Sequence, residues 1–157
     1  MPSFTLSTEL KVTPQAFWQQ MSMAAVNAEL RPLVRMTAPA AWRDCPLDQW
    51  HSGRVLFRSL VLLFGCLPVD VHSLRLESIS AGHGFLERST SWGNRQWQHE
   101  RLTTPTAAGC IVTDTVTVVG RIRLITALLM PVYRLVFRHR HRQLRRLHGA
   151  ANADTSP

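Results

Sequence analysis

The sequence predicts an α+β fold in which a curved antiparallel β-sheet of six to seven strands wraps around one long C-terminal helix, with two short helices after strand 1. Three observations support this prediction. Residues 4–11 alternate apolar and polar side chains, as a half-buried strand does. Residues 55–119 form five runs separated by Gly, Pro or Asn, a spacing typical of an antiparallel meander. After residue 120 the apolar residues recur at helical spacing.

The two short helices follow directly from capping residues. Thr13 is a favourable N-cap and Pro14 is favoured at the first helical position, so we expect a helix over residues 14–22. A second helix, or a continuation of the first, is expected over residues 24–30, before Pro32. Residues 37–53 contain two prolines and two tryptophans, which is typical of a loop anchored by aromatic side chains.

The remaining strands and the last helix are defined by turn residues and by period. The predicted strands span residues 55–64, 71–80, 85–92, 95–103 and 110–119. The helix spans residues 121–147, and Pro131 should kink it. We expect its apolar stripe to cover the sheet; this stripe contains Ile122, Ile125, Leu129, Val132 and Val136, widened by Leu124, Leu128 and Leu135. Residues 1–148 are expected to form one domain, and residues 149–157 a disordered tail.

Composition and charge exclude several classes of protein. The chain is 45% apolar, which is too much for intrinsic disorder. Its net charge of +8 is concentrated in residues 121–148, which hold eight arginines and no acidic residue. No apolar run has the roughly 20 residues of a membrane span. The N-terminus lacks the features of a secretory signal, and three cysteines form no disulfide framework. These features favour a cytoplasmic protein.

The chain resembles the SRPBCC superfamily, whose helix-grip fold is shared by START lipid-transfer domains, the birch-pollen allergen family and bacterial polyketide cyclase/dehydrase-like proteins. The resemblance rests on the order and spacing of these strings: Phe4 to Trp18, Leu62-Leu-Phe-Gly65 with Leu67-Pro-Val-Asp70, Trp97-Gln-His-Glu-Arg101, Val112-Thr-Asp-Thr-Val116, and Phe137-Arg-His-Arg-His141 with Leu144-Arg145. It implies a scaffold that binds a small hydrophobic or amphipathic ligand, a lipid or a polyketide-like molecule. The fold does not determine which ligand.

A cavity beneath the C-terminal helix is the expected ligand site, because one helix cannot fill a strongly curved sheet. Trp97, His99 and Arg101 share one strand face, and Asp114 lies on a face of the next strand, so Asp114 could pair with His99 or Arg101. These groups either orient a ligand or form a structural ion pair. The predicted ligand-binding residues are Trp97, His99, Arg101, Asp114, Glu87, Trp92, Leu128 and Val132.

An enzymatic alternative is a cyclase or dehydratase in which His99 and Asp114 act as acid and base on an enolisable polyketide. Glu87 could supply a second carboxylate, although a surface location is the commoner one for a glutamate. The sequence contains no Gly-x-Ser-x-Gly elbow, no phosphate-binding glycine loop and no cluster of metal ligands. We therefore expect neither a cofactor nor a metal.

The basic end of the C-terminal helix allows three interpretations. It could be a solvated face, since cations are favourable at a helix C-terminus. It could contact an anionic membrane surface through Arg134, Arg138, Arg142 and Arg145. It could bind nucleic acid, although no aromatic platform lies beside the basic run. The oligomeric state is not indicated by the sequence.

Overall fold

The structure is a computed structural model that describes residues 1–150. Its single sheet is antiparallel throughout and has the order β1-β7-β6-β5-β4-β3-β2, so the strands after β2 form a meander and β1 closes the far edge. The strands are β1 (Ser3–Leu10), β2 (Val34–Met36), β3 (Val55–Leu63), β4 (Leu67–Ser80), β5 (Gly84–Ser91), β6 (Asn94–Pro105) and β7 (Cys110–Gly120). The five predicted strands of the meander and β1 are all present, and β2 is an additional short strand.

Two helices, α1 (Pro14–Gln19) and α2 (Met23–Leu30), connect β1 to β2 and cross from one edge of the sheet to the other. Helix α1 begins as the sequence predicts, after Thr13, whose side chain accepts the backbone N–H of Ala16. Helix α1 ends at Gln19, before the predicted residue 22, and α2 begins after Ser22, whose side chain accepts the backbone N–H of Ala25. The following segment contains α3 (Ala40–Arg43) and a 3₁₀ turn (Leu47–Gln49). Its tryptophans are anchored as expected, because Trp42, Trp50 and Phe57 pack edge-on.

The long helix α4 (Arg123–His148) continues through Pro131 and packs against β1, β7 and α2. Its inward face differs from the predicted one. The buried residues of α4 are Thr126, Phe137, Arg140, His141 and Leu144, with Met130 and Tyr133 partly buried. Most of the predicted apolar stripe lies instead on the outer face, where Leu128 is 68% exposed and Val132 is 46% exposed, while Leu129 and Val136 are partly buried. The interior that α4 covers contains charged as well as apolar side chains, so polar and aromatic side chains of the helix face it.

The core has two parts along the length of α4. One contains Leu10, Phe17 and Leu144, together with residues of α1 and the middle strands. The other contains Phe4, Val116 and Phe137, near the first half of α4. At the end of α4 the chain returns to β1, where Lys11 N–H donates to the Gly149 carbonyl. The predicted tail thus begins with two residues that contact β1, and residues 151–157 lie outside the described residues.

Candidate functional site

The inward faces of β6 and β7 bring together the polar residues that the sequence singled out. Arg101 and Asp114 are direct cross-strand partners. Arg101 Nε and Nη2 each donate to one oxygen of the Asp114 carboxylate, both at 2.7 Å. Both side chains are completely buried. The alternation of the two strands therefore predicts this pair correctly, since same-face residues meet across an antiparallel pair.

The other side of Arg101 is held by helix α2. Arg101 Nη1 donates to both oxygens of Glu29, at 3.2 and 3.1 Å. Glu29 also accepts a 2.5 Å hydrogen bond from Arg140 Nε of α4. Glu29 and Arg140 are 2% and 4% exposed. One carboxylate of α2 thus joins a guanidinium of the sheet to a guanidinium of the covering helix.

Asp114 also lies against two imidazoles. His99 Nε2 lies 3.0 Å from Asp114 Oδ1, and His141 Nε2 lies 3.1 Å from Asp114 Oδ2. His99 continues towards β5, where its Nδ1 lies 3.6 Å from Glu87 Oε2. Both ring nitrogens of His99 therefore lie near carboxylate oxygens.

Glu87 ends the chain of contacts on the side of β4 and β5. Its Oε1 lies 2.6 Å from His72 Nε2 and accepts a 2.6 Å hydrogen bond from Ser89 Oγ. Glu87 is 6% exposed, so it is not the surface residue that glutamate usually is. We call the connected set the ion network; its members are Glu29, His72, Glu87, His99, Arg101, Asp114, Arg140 and His141.

The ion network keeps its carboxylates charged. Burial alone would raise the pKa of Asp114, but the charges of Arg101 and His99 and the hydrogen bonds from Arg101 and His141 outweigh it and hold that pKa well below its usual range. Burial would also raise the pKa of Glu29, but the charges of Arg101 and Arg140 outweigh burial and lower that pKa. The pKa of Glu87 is lowered by His72 and His99, again against burial.

This arrangement fills the interior beneath the second half of α4. The polar atoms of His99 and Asp114 contact other members of the network, and the residues are 3% and 0% exposed. Sequence analysis singled out Arg101, His99 and Asp114 as site residues, but it did not include His72, Arg140 or His141 among them. It did not single out Glu29. One signal was present: Phe137, Arg140, His141 and Leu144 have the i, i+3, i+4, i+7 spacing of one helix face.

The structure places the remaining predicted ligand residues in different environments. Trp97 is partly buried and packs edge-on against Tyr133 of α4, so it faces the interior. Trp92 is 73% exposed in the turn between β5 and β6. Leu128 and Val132 are on the outer face of α4, as described above. These three residues do not line the interior, because Trp92 lies in an exposed turn and the other two lie on the helix face that points outward.

A concavity of about 340 Å³ lies between the sheet and the beginning of α4. Its lining consists of Met1, Pro2, Val118, Val119, Gly120, Arg123, Thr126 and Ala127. Gly120 allows α4 to start close to β7, because a Cβ at this position would lie 1.7 Å from Thr126 Oγ1. Within residues 1–150, no group of three or more His, Cys, Asp or Glu side chains is arranged to hold a metal ion.

Solved structures share this architecture at low sequence identity. Protein CV1439 from Chromobacterium violaceum has a TM-score of 0.64 at 13% identity, covering 96% of this chain and 100% of that one. Major latex-like protein 151 from Panax ginseng has a TM-score of 0.61 at 8% identity, covering 94% and 97%. DynU16, from the dynemicin biosynthetic locus, has a TM-score of 0.56 at 12% identity, covering 96% of this chain and 49% of that one. The helix-grip fold is thereby confirmed.

Sequence comparison adds a family but not an activity. A search of the curated proteins finds no match to this sequence. The model of one family, described as a domain of unknown function, matches residues 8–148. Because that match spans most of the chain, including every strand from β2 onward and all four helices, the protein belongs to the DUF8410 family.

Proposed function

We propose that this protein binds a small amphipathic molecule, a lipid or a polyketide-like compound, in the concavity between the sheet and the start of α4. The observation that carries the proposal is the concavity itself. Its volume of about 340 Å³ falls within the range of small-molecule sites, which are mostly apolar with a few polar groups. The site lies between the sheet and the C-terminal helix, nearer the beginning of that helix than its middle.

The lining of the concavity indicates how a ligand would be oriented. Val119 and Ala127 offer apolar surface, and Arg123 is the charged residue at the rim. A guanidinium binds carboxylates and phosphates through two parallel hydrogen bonds. An apolar chain would therefore lie against β7 with its anionic group at Arg123. The structural neighbour from a biosynthetic locus agrees with a small-molecule ligand.

Laurate, which has an apolar chain and a carboxylate, is a suitable probe. Isothermal titration calorimetry should detect binding to the protein, and Ala127→Trp should abolish it by filling the concavity. Ala127 is exposed on α4, so the substitution should leave the fold intact. Leu128→Trp is the matched control, because it adds the same ring one residue later on the outer face and should preserve binding.

The orientation is tested separately. Arg123→Gln should weaken laurate binding about tenfold or more, since a charge-assisted hydrogen bond contributes about 1.5–3 kcal/mol. It should leave binding of dodecanol, which lacks the carboxylate, nearly unchanged. Equal laurate binding by the Ala127→Trp and Leu128→Trp variants would refute the site. Loss of both ligands in Arg123→Gln would refute the assigned orientation.

The alternative of a cyclase or dehydratase has less support from the geometry. An acid and a base must come within hydrogen-bond reach of the substrate. His99 and Asp114 are buried in the ion network, and neither lines the concavity. We therefore base the proposal on binding alone.

A further inference from the structure

The outer face of α4 exposes large apolar side chains along its first half. Leu124 is 71% exposed, Leu128 is 68% exposed and Leu135 is 55% exposed. At about 100° per residue these leucines lie on the side of the helix opposite Phe137 and Leu144, which face the sheet. Contiguous exposed apolar surface on a single domain commonly marks an interaction site.

The same face continues into arginines along the second half of the helix. Arg138, Arg142 and Arg146 are exposed and lie with the three leucines within an arc of roughly 80°. Residues 121–148 contain no acidic residue. Within residues 1–150, none of these three arginines forms an ion pair. The charges on this face are thus available to an anionic partner.

The geometry points to an anionic lipid bilayer as that partner: we propose that the protein docks peripherally on such a surface through the outer face of α4. Leu124, Leu128 and Leu135 would enter the boundary of the acyl chains, and Arg138, Arg142 and Arg146 would contact the headgroups. Binding of a helix to an interface increases with the apolar area that it buries and with the attraction of its basic residues to anionic lipids, and the outer face of α4 supplies both, one after the other along its length. No helix in residues 1–150 is long and apolar enough to cross a membrane.

Other features agree with this occupant better than with its competitors. Trp92 is 73% exposed, and its carbonyl accepts a hydrogen bond from Arg121, so it lies close to the start of α4. Tryptophan is favourable at a membrane interface because one end of its ring system is apolar and the other polar. Nucleic acid would match the arginines but leave the leucines exposed. A second copy would match the leucines and place arginine face against arginine face in a parallel arrangement.

The test is flotation of the purified protein with vesicles of phosphatidylcholine alone or mixed with phosphatidylserine. We expect binding to the mixed vesicles at low salt, strong weakening at high salt, and little binding to phosphatidylcholine alone. The variant R142Q/R146Q should weaken binding about 25-fold, at about fivefold for each cation near an anionic surface. The variant L124Q/L128Q should weaken it about tenfold or more.

Matched controls separate this surface from net charge and general hydrophobicity. R58Q/R88Q removes two exposed arginines from β3 and β5 and should bind vesicles nearly as the original protein does. Leu102→Gln removes a 46% exposed leucine from the outer side of the sheet and should also have little effect. All substituted positions are exposed, so circular dichroism should show the same folded state for every variant.

Three results would overturn the proposal. The first is an absence of binding to phosphatidylserine vesicles at low salt. The second is equal weakening by R142Q/R146Q and R58Q/R88Q, which would assign the effect to net charge. The third is a different partner for the same face: the original protein does not bind vesicles, but it forms a concentration-dependent dimer or binds a DNA duplex. In that case L124Q/L128Q or R142Q/R146Q would abolish the dimer or the DNA binding. Laurate binding is measured in the same variants, so failure of docking and failure of the concavity site are distinguishable.

Discussion

Replacing Asp114 with asparagine is expected to lower the free energy of unfolding by about 3–5 kcal/mol. Asp114 is completely buried and faces Arg101, His99 and His141, with both Arg101 hydrogen bonds at 2.7 Å. Asparagine keeps the shape but has a single acceptor oxygen, so its amide N–H groups would face N–H donors. Arg101 would then depend on Glu29, which it shares with Arg140.

The magnitude follows from the difference between breaking and replacing a buried ion pair. Removing one partner leaves an uncompensated buried charge, which costs about 3–5 kcal/mol. A domain of ordinary stability has about 5–15 kcal/mol in total, so the loss is a large fraction of it. With a urea dependence of about 2 kcal/mol per molar, the unfolding midpoint should fall by about 1.5–2.5 M. Urea titration followed by circular dichroism measures this shift.

The control is Glu77→Gln, which removes a carboxylate from an ion pair at the surface. Glu77 lies 3.2 Å from Arg75, and the two side chains are 36% and 43% exposed. An exposed pair of this kind contributes less than about 1 kcal/mol. A D114N midpoint within about 0.5 M of the E77Q midpoint would show that the ion network does not stabilise the interior in the way described here.

Two other outcomes can be measured with the same assay. The pKa values of Asp114, Glu29 and Glu87 are lowered in the folded state, so the stabilisation by these carboxylates is present above the ordinary carboxyl pKa of about 4 and is lost as pH falls. The free energy of unfolding should therefore drop below about pH 5, and it should drop less steeply in D114N; parallel pH dependences of the two proteins would contradict this. Phe137→Ala should lower the free energy of unfolding by about 3–5 kcal/mol, since Phe137 is 5% exposed and packs on Phe4 and His99. Leu135→Ala, on the outer face of α4, should lower it by less than about 0.5 kcal/mol. Similar decreases in the two variants would contradict the assignment of the inner and outer faces of α4.

Local patterns were sufficient to predict six of the seven strands and the start of α1. Alternation along β6 and β7 predicts which residues share a face, and turn residues predict where each strand of the meander ends. The strand β2 was missed because three residues are too few to show a period. Helix α3 was missed for the same reason, since its four residues lie in a segment rich in proline and tryptophan.

The orientation of α4 could not be predicted from periodicity alone. A period shows that a helix has an apolar face, but it does not show whether that face is directed inward. The deciding fact is the polarity of the interior, which depends on Glu29. Glu29 is 72 residues from Arg101 and 111 residues from Arg140 in the chain. Pairing over such separations comes from tertiary packing, so no local signal in the sequence reports it.

The ion network also explains why the concavity lies on the same half of α4 as the leucines proposed to enter the bilayer. Arg140, His141 and Leu144 bring charged and packed side chains into the interior beneath the second half of the helix. At the first half, the small side chains of Thr126 and Ala127 line the concavity. The leucines proposed to enter the bilayer are on the outer face of that first half. A ligand that leaves an anionic bilayer would therefore meet the concavity on the same half of the helix, at Arg123. Laurate supplied in phosphatidylserine vesicles should then bind to the original protein faster than to the variant L124Q/L128Q. Both proteins should bind free laurate with equal affinity.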